Sequence, residues 1–233
     1  MSAGKITLFD LPSQAPNRAW SLNPWRTRLI LNYKGLDYET KFVEYPDIKQ
    51  TLKDHVAPNE DGSYTIPTIR LPDGTYIMDS YKIADALEES YPSPPLHLNS
   101  DMQKGVNAQM VKIFEGIYPA ACPLIQDRIL NPPSQAYWDV TRKECLALGP
   151  DPRGWEKADP GLKEVTRLLK EKEGPWFNGD EFTYADILWV GFLIFFKRIG
   201  DDMFEGVLKG SGDRDLHLAF LERASKWTER DSY

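Results

Sequence analysis

Ser21 opens the stretch Ser-Leu-Asn-Pro-Trp-Arg-Thr-Arg-Leu-Ile-Leu at 21–31, where a hydroxyl coincides with the signals for a helix start. Pro24 suits a first helical turn, since its missing N–H would have no intrahelical partner there, and Leu29, Ile30 and Tyr33 supply an apolar face behind it. At such a start the unpaired backbone N–H groups and the positive helix end favour an anion. Ser21 can donate a hydrogen bond to that anion or cap the helix itself, and the amide of Asn23 is a second donor. Asp79-Ser80 repeats the pattern ahead of Ile83, Ala84, Leu87 and Tyr91, and there too one geometry serves both capping and anion binding. Thr183-Tyr184-Ala185-Asp186 is a capping box before the most apolar segment of the chain, Ile187 to Phe196, and its role is structural.

Other chemistries find less support. Cys122 and Cys145 lack a Cys-x-x-Cys or Cys/His pattern and read as small core hydrophobes, while His55, His97 and His217 are scattered, so no metal constellation is expected. A formal net charge of -7 over 233 residues disfavours nucleic acid and anionic membrane as partners. Neither a signal region nor a run of about 18 apolar residues is found, which makes the cytoplasm the default location.

The elements that position these residues follow in order. Lys5 to Phe9 reads as a buried strand, residues 10 to 20 as a loop, and Gly35 ends the first helix. Tyr38 to Glu44 alternates as a second strand, parallel to the first across the helical crossover. A polar connection over 45–63, with a short helix over Ile48 to His55, leads to a hairpin of Tyr64–Leu71 and Thr75–Met78 around Pro-Asp-Gly. With the helix after Ser80 the order is βαβ then ββα. Residues 91–99 carry three prolines and read as a linker between a domain at 1–90 and a second at 100–233. The second shows only helical periodicity, as in Val106, Met110, Ile113, Phe114 and Ile117 or Leu162, Val165, Leu168 and Leu169, with a loop expected over 149–160. The expected fold is α/β plus all-α.

Taken together, this βαβ-ββα order, Ile66-Pro67 opening the third strand, Asp79-Ser80, the 21–31 segment and the Thr183 box resemble the cytosolic glutathione transferases over nearly the whole chain. Asn32-Tyr-Lys-Gly and Val43-Glu-Tyr-Pro-Asp-Ile resemble the etherase-related, fungal-specific A class, although Ser21 with Trp25-Arg26 is also similar to the zeta class. The resemblance implies a thioredoxin-like first domain and glutathione as co-substrate, with Ser21 holding its thiolate. It implies a cis peptide before Pro67, with Ile66 pairing the cysteinyl unit, and Asp79 and Ser80 at the γ-glutamyl end. Asn23 stands where omega-like members carry cysteine, which excludes a mixed disulfide there, and Asp79 is one methylene shorter than the usual Glu or Gln. Lys53, with Lys49 and Gln50, is a candidate for the glycine end, or simply a solvated face. An acceptor pocket between the domains would be lined by Met110, Phe114 and Tyr118, a stripe equally compatible with core, and by the aromatic faces of Trp20 and Trp25. The implied activity is conjugation of glutathione to aromatic electrophiles, the alternative a ligandin that binds aromatic compounds with little turnover. A homodimer is the implied assembly.

Overall fold

The computed structural model describes residues 4–149, 151 and 153–232, and the chain divides into two compact units. The first comprises residues up to Pro95, Leu130–Tyr137 and the segment from Trp227 onward; the second comprises Leu96–Ile129 and Trp138–Lys226.

In the first unit, β1 (Ile6–Asp10), α1 (Leu22–Tyr33) and β2 (Tyr38–Phe42) form the crossover, with β1 and β2 parallel from Ile6↔Tyr38 to Asp10↔Phe42. A short helix α2 (Ile48–Leu52) precedes the hairpin of β3 (Thr68–Arg70) and β4 (Tyr76–Met78), and α3 (Ser80–Ser90) follows. The sheet order is β2-β1-β3-β4, with β3 antiparallel to both neighbours. Tyr64 to Pro67, which the alternation places in the third strand, lie outside it. The Ile66–Pro67 bond is cis, and the ladder begins at Thr68, which pairs with both Phe9 and Met78.

The charges of this unit are less ordinary than its topology. Asp10 ends β1 and Arg28 lies on α1, both side chains are fully withdrawn from water, and Arg28 Nη2 donates to Asp10 Oδ2 at 2.9 Å. The Leu11 N–H donates to the other carboxylate oxygen at 2.7 Å, while Arg28 also donates to Thr40 Oγ1 at 3.0 Å and the Tyr38 hydroxyl at 3.3 Å. Burial pushes the Asp10 carboxyl up, and the Arg28 charge and hydrogen bonds oppose it. The Arg230 guanidinium lies 3.7 Å from the Tyr38 ring centroid.

Two segments beyond the linker, Leu130–Tyr137 and the stretch from Trp227, pack with the first unit. Residues from Trp227 return to the first unit because α1 and its preceding loop offer them partners. Ala19 N–H donates to the Asp231 carbonyl at 2.6 Å, Asn32 Nδ2 to the Trp227 carbonyl at 2.7 Å, and Trp227 meets Tyr33 edge-on at 5.1 Å. Residues 130–137 join through Glu44, whose carboxylate accepts from Asn131 Nδ2 at 2.8 Å and from the Ser134 hydroxyl.

The second unit is helical: α4 (Asp101–Arg128), α5 (Pro132–Thr141, whose first six residues belong to the first unit), α6 (Lys143–Leu148), α7 (Gly154–Leu169), α8 (Tyr184–Ile199), α9 (Asp201–Ser211) and α10 (Arg214–Arg223). The loop expected over 149–160 is a helix from Gly154 onward, with Pro160 inside it; Pro150 and Pro152 lie outside the described residues. Burial of Ala158, Leu162 and Val165 along one face outweighs the single hydrogen bond that Pro160 forfeits. Gly154 is needed where α7 meets α4, since a Cβ there would stand 2.5 Å from the Gly116 carbonyl oxygen. No described helix is long and apolar enough to cross a membrane.

The capping box forms as the sequence suggests. The Asp186 carboxylate accepts from the Thr183 N–H at 2.7 Å, the Thr183 hydroxyl at 2.8 Å and the Phe177 N–H at 2.9 Å. Burial pushes its pKa up to about 6 against these bonds. Nearby, Trp189 Nε1 donates to His217 Nδ1 at 3.0 Å, which assigns the proton to Nε2; that nitrogen sits 2.8 Å from Thr166 Oγ1, which donates onward to the Ser211 carbonyl at 2.8 Å.

Two outcomes follow from these buried groups. Asp10→Ala should destabilise the protein by about 3–5 kcal/mol by leaving the Arg28 charge uncompensated. Urea denaturation would measure it, and a change below about 1 kcal/mol would contradict the pairing. His217 is neutral in the fold, its pKa lowered to about 4 by burial against an ordinary 6.5. The unfolded chain therefore binds the extra proton first, and stability present above pH 6.5 is lost as pH falls towards 4, on the order of 3 kcal/mol in total. His217→Gln should flatten that part of the stability–pH curve.

Candidate active site

Three features of the first unit lie at one end of its sheet. β1 runs antiparallel to β3 and β3 to β4, so the end of β1, the start of β3 and the end of β4 coincide there. The loop after β1 leads to Ser21, the cis Ile66–Pro67 bond precedes β3, and Asp79-Ser80 follows β4. A hydrogen bond from the Asp79 N–H to the Pro67 carbonyl at 3.2 Å fastens the last two together.

Ser21 is the N-cap of α1, with extended backbone, and its carbonyl accepts the first helical bond from Trp25 N–H at 3.1 Å. Its side chain makes no capping bond and is half-buried, so the hydroxyl is not committed to the helix. Asn23 is exposed in the same first turn. Ile66 is buried and lies ahead of the first register pair of β3.

Asp79 adopts φ 90°, a left-handed conformation uncommon for a residue with a side chain and costing about 1–3 kcal/mol. Its Oδ1 accepts from the Tyr81 N–H at 2.9 Å and the Lys82 N–H at 3.2 Å. Of the two roles the sequence allows, capping is the one seen: two of the helix-end donors are occupied by Asp79 itself, whose short side chain reaches its own helix. Ser80 is buried at the first position of α3, and Lys53 stands exposed at the end of α2.

The aromatic candidates divide. Trp20 and Trp25 are buried, with exposures of 2% and 0%, and do not present the flat surface expected of them. Their indole N–H groups donate to the Pro12 and Ala19 carbonyls, each at 3.0 Å, so they brace the loop that delivers Ser21. Met110 is core as well, at 3% exposure. Phe114 and Tyr118, in the second unit, remain half-buried and stack at 4.7 Å, with Phe195 at 5.9 Å from Phe114. Burial and the neighbouring Cys122 and Cys145 push the Tyr118 phenol up, and Cys145 itself is raised to about 12 by burial and Cys122. Both groups are protonated at neutral pH. Among the described residues no group of three or more His, Cys, Asp or Glu is placed to hold a metal ion.

Sequence reasoning missed the side chains behind the site. Arg28 and Asp10 were a cation inside an apolar helix and an acid closing an apolar strand, a pairing signal that neither carries alone. Arg26 is 8% exposed and its guanidinium carbon lies 5.5 Å from the Tyr81 ring centroid, beside the start of α3.

Comparisons with known proteins identify the family. The glutathione S-transferase N-terminal domain matches residues 20–90, and the glutathione S-transferase C-terminal domain matches residues 103–227. The glutathione S-transferase-like protein ustS of Aspergillus flavus is 28% identical, covering 96% of this chain and 91% of its own. Glutathione transferase GSTFuA3 from Phanerochaete chrysosporium superposes with a TM-score of 0.83 at 27% identity, covering 97% of this chain and 98% of that one. The glutathione S-transferase CsGST63524 of Ceriporiopsis subvermispora, solved in complex with glutathione, gives 0.80 at 30% identity over 96% and 98%. With both of its domains matched and its structural neighbours in the fungal etherase-related class, this chain belongs to the glutathione S-transferase family.

Proposed function

We propose that this member of the family is a serine-type glutathione transferase, in which the Ser21 hydroxyl donates a hydrogen bond to the glutathione thiolate. The observation that carries this is the uncommitted hydroxyl at the N-cap of α1. A free thiol near pKa ~8.5 is only a few per cent ionised at neutral pH, and a donor hydroxyl with a helix end lowers it by roughly 1–2 units. The ionised sulfur then attacks an electrophilic carbon, and the leaving group departs with the bonding pair.

The other contacts follow from the same end of the sheet. Ile66, ahead of the β3 ladder, offers its N–H and C=O to the cysteinyl unit as a short added strand. Ser80 takes the γ-glutamyl end with its N–H and hydroxyl, Asp79 Oδ2 faces the ammonium, and Lys53 attracts the glycine carboxylate. Asn23 is the alternative donor to sulfur. For the acceptor, the half-buried Phe114–Tyr118 stack favours flat aromatic compounds. That stack equally supports a second reading, a ligandin that holds aromatic compounds with little turnover. Turnover with a panel of electrophiles, run beside displacement of a fluorescent aromatic probe, separates the two. The homodimer expected from the family belongs with this reading, and a monomer mass by light scattering at micromolar concentration would count against it.

Ser21→Ala should raise the pKa of bound glutathione and slow conjugation by about 10- to 100-fold, with a smaller change in glutathione affinity. Thiolate absorbance titrated against pH decides this, and an unchanged pKa would transfer the role to Asn23. Tyr118→Ala should weaken several aromatic ligands together, by roughly 0.5–1.5 kcal/mol beyond the loss of buried area. Calorimetry with glutathione present would expose a wrong pocket if every ligand bound the variant normally.

A further inference from the structure

Arg26 is more than nine-tenths buried, yet its guanidinium makes no hydrogen bond or ion pair with any described residue, and its Nε is buried without a partner. A buried donor left without a partner costs its full desolvation penalty. The surrounding potential makes matters worse: the group lies over Tyr81 in the first turn of α3, where the helix dipole favours an anion over a cation. The position becomes favourable once an anion joins it.

The same corner lacks donors for one. Asp79 has taken the Tyr81 and Lys82 N–H groups, which leaves only the Ser80 N–H and hydroxyl for a carboxylate whose two oxygens can accept about four bonds. We infer that Arg26 supplies the missing charge to the α-carboxylate of the γ-glutamyl residue, so that a side chain of α1 completes an anion site begun by the N-terminus of α3. This rests on the glutathione site proposed above. It assigns Arg26 a specificity role: the planar guanidinium reads the α-carboxylate, and the ligand in turn supplies the counter-charge that the fold withholds.

The test compares glutathione with its analogue in which that α-carboxylate is replaced by hydrogen, 4-aminobutanoyl-Cys-Gly, by calorimetry on the full chain. The wild-type protein should bind the analogue about 30-fold or more weakly than glutathione, and Arg26→Met should lose about 10- to 100-fold for glutathione but little for the analogue. The two losses should not multiply, because both delete one interaction. Should Arg26→Met fail to fold, Arg26→Lys serves the same comparison, with a smaller loss for glutathione, about fivefold, and none for the analogue. Losses that multiply, or a variant that binds glutathione within twofold of wild type, overturn the assignment. So does a variant that keeps its discrimination while its mass by light scattering falls, since Arg26 would then answer a carboxylate of a second copy. A wild-type protein that binds no glutathione at all refutes the underlying site instead.

Discussion

A carboxylate and a guanidinium withdrawn together from water survive only when each of their oxygens and most of their N–H groups find partners, and Asp10 and Arg28 meet that demand with parts of four segments. β1 supplies the acid, α1 the base, β2 the Tyr38 and Thr40 hydroxyls, and the segment after Trp227 the Arg230 carbonyl at 3.4 Å. The pair thereby fixes how α1 is placed on the end of β1. Ser21 opens α1, so the orientation of its hydroxyl is inherited from a charge interaction made two helical turns further on.

Around that anchor, the first unit keeps its polar side chains in reserve at one end and spends them elsewhere. Lys34, with no side-chain exposure, is fully used: its ammonium donates to Glu88 and to the Tyr91 and Pro94 carbonyls at 2.6–2.8 Å, tying down the chain after α3. Ser21 and Arg26 are the opposite case, a hydroxyl without a capping bond and a cation without an acceptor. Both groups belong to the corner proposed above for glutathione, where a bound ligand would satisfy them. The left-handed backbone of Asp79 belongs to the same pattern, strain held at a helix start by the bond to Pro67.

The parts of the fold legible in the sequence were those written in neighbouring residues. Proline and glycine punctuation, strand alternation and the helix starts at Ser21, Asp79 and Thr183 all act within one or two turns, and the βαβ-ββα order and the helical second half follow from them. What escaped depends on how the chain packs, which no residue pattern displays. Trp20 and Trp25 looked like open aromatic surface because nothing local reveals that Pro12 and Ala19 carbonyls take their N–H groups. The helix through Pro160 wins by packing across to α4 at Gly116, and Arg26 is distinguished only by what it fails to touch. Of the candidate site, Ser21, Ile66 and Ser80 were singled out by type and by resemblance, while Asp79-Ser80 left capping and anion binding as one geometry, of which the structure shows the capping bonds to Tyr81 and Lys82.

The return of the segment after Trp227 has a consequence in time as well as in space. The loop that delivers Ser21 finds its backbone partner only at Asp231, so a ribosome must translate the whole helical half before Ala19 can close that bond. At about 5–20 residues per second this is a wait of roughly 10–40 s. During it, the sheet can assemble while the entrance to α1 stays unfastened. The corner proposed to hold the thiol is encoded near the beginning of the chain, but it is among the last places on the growing protein to be completed.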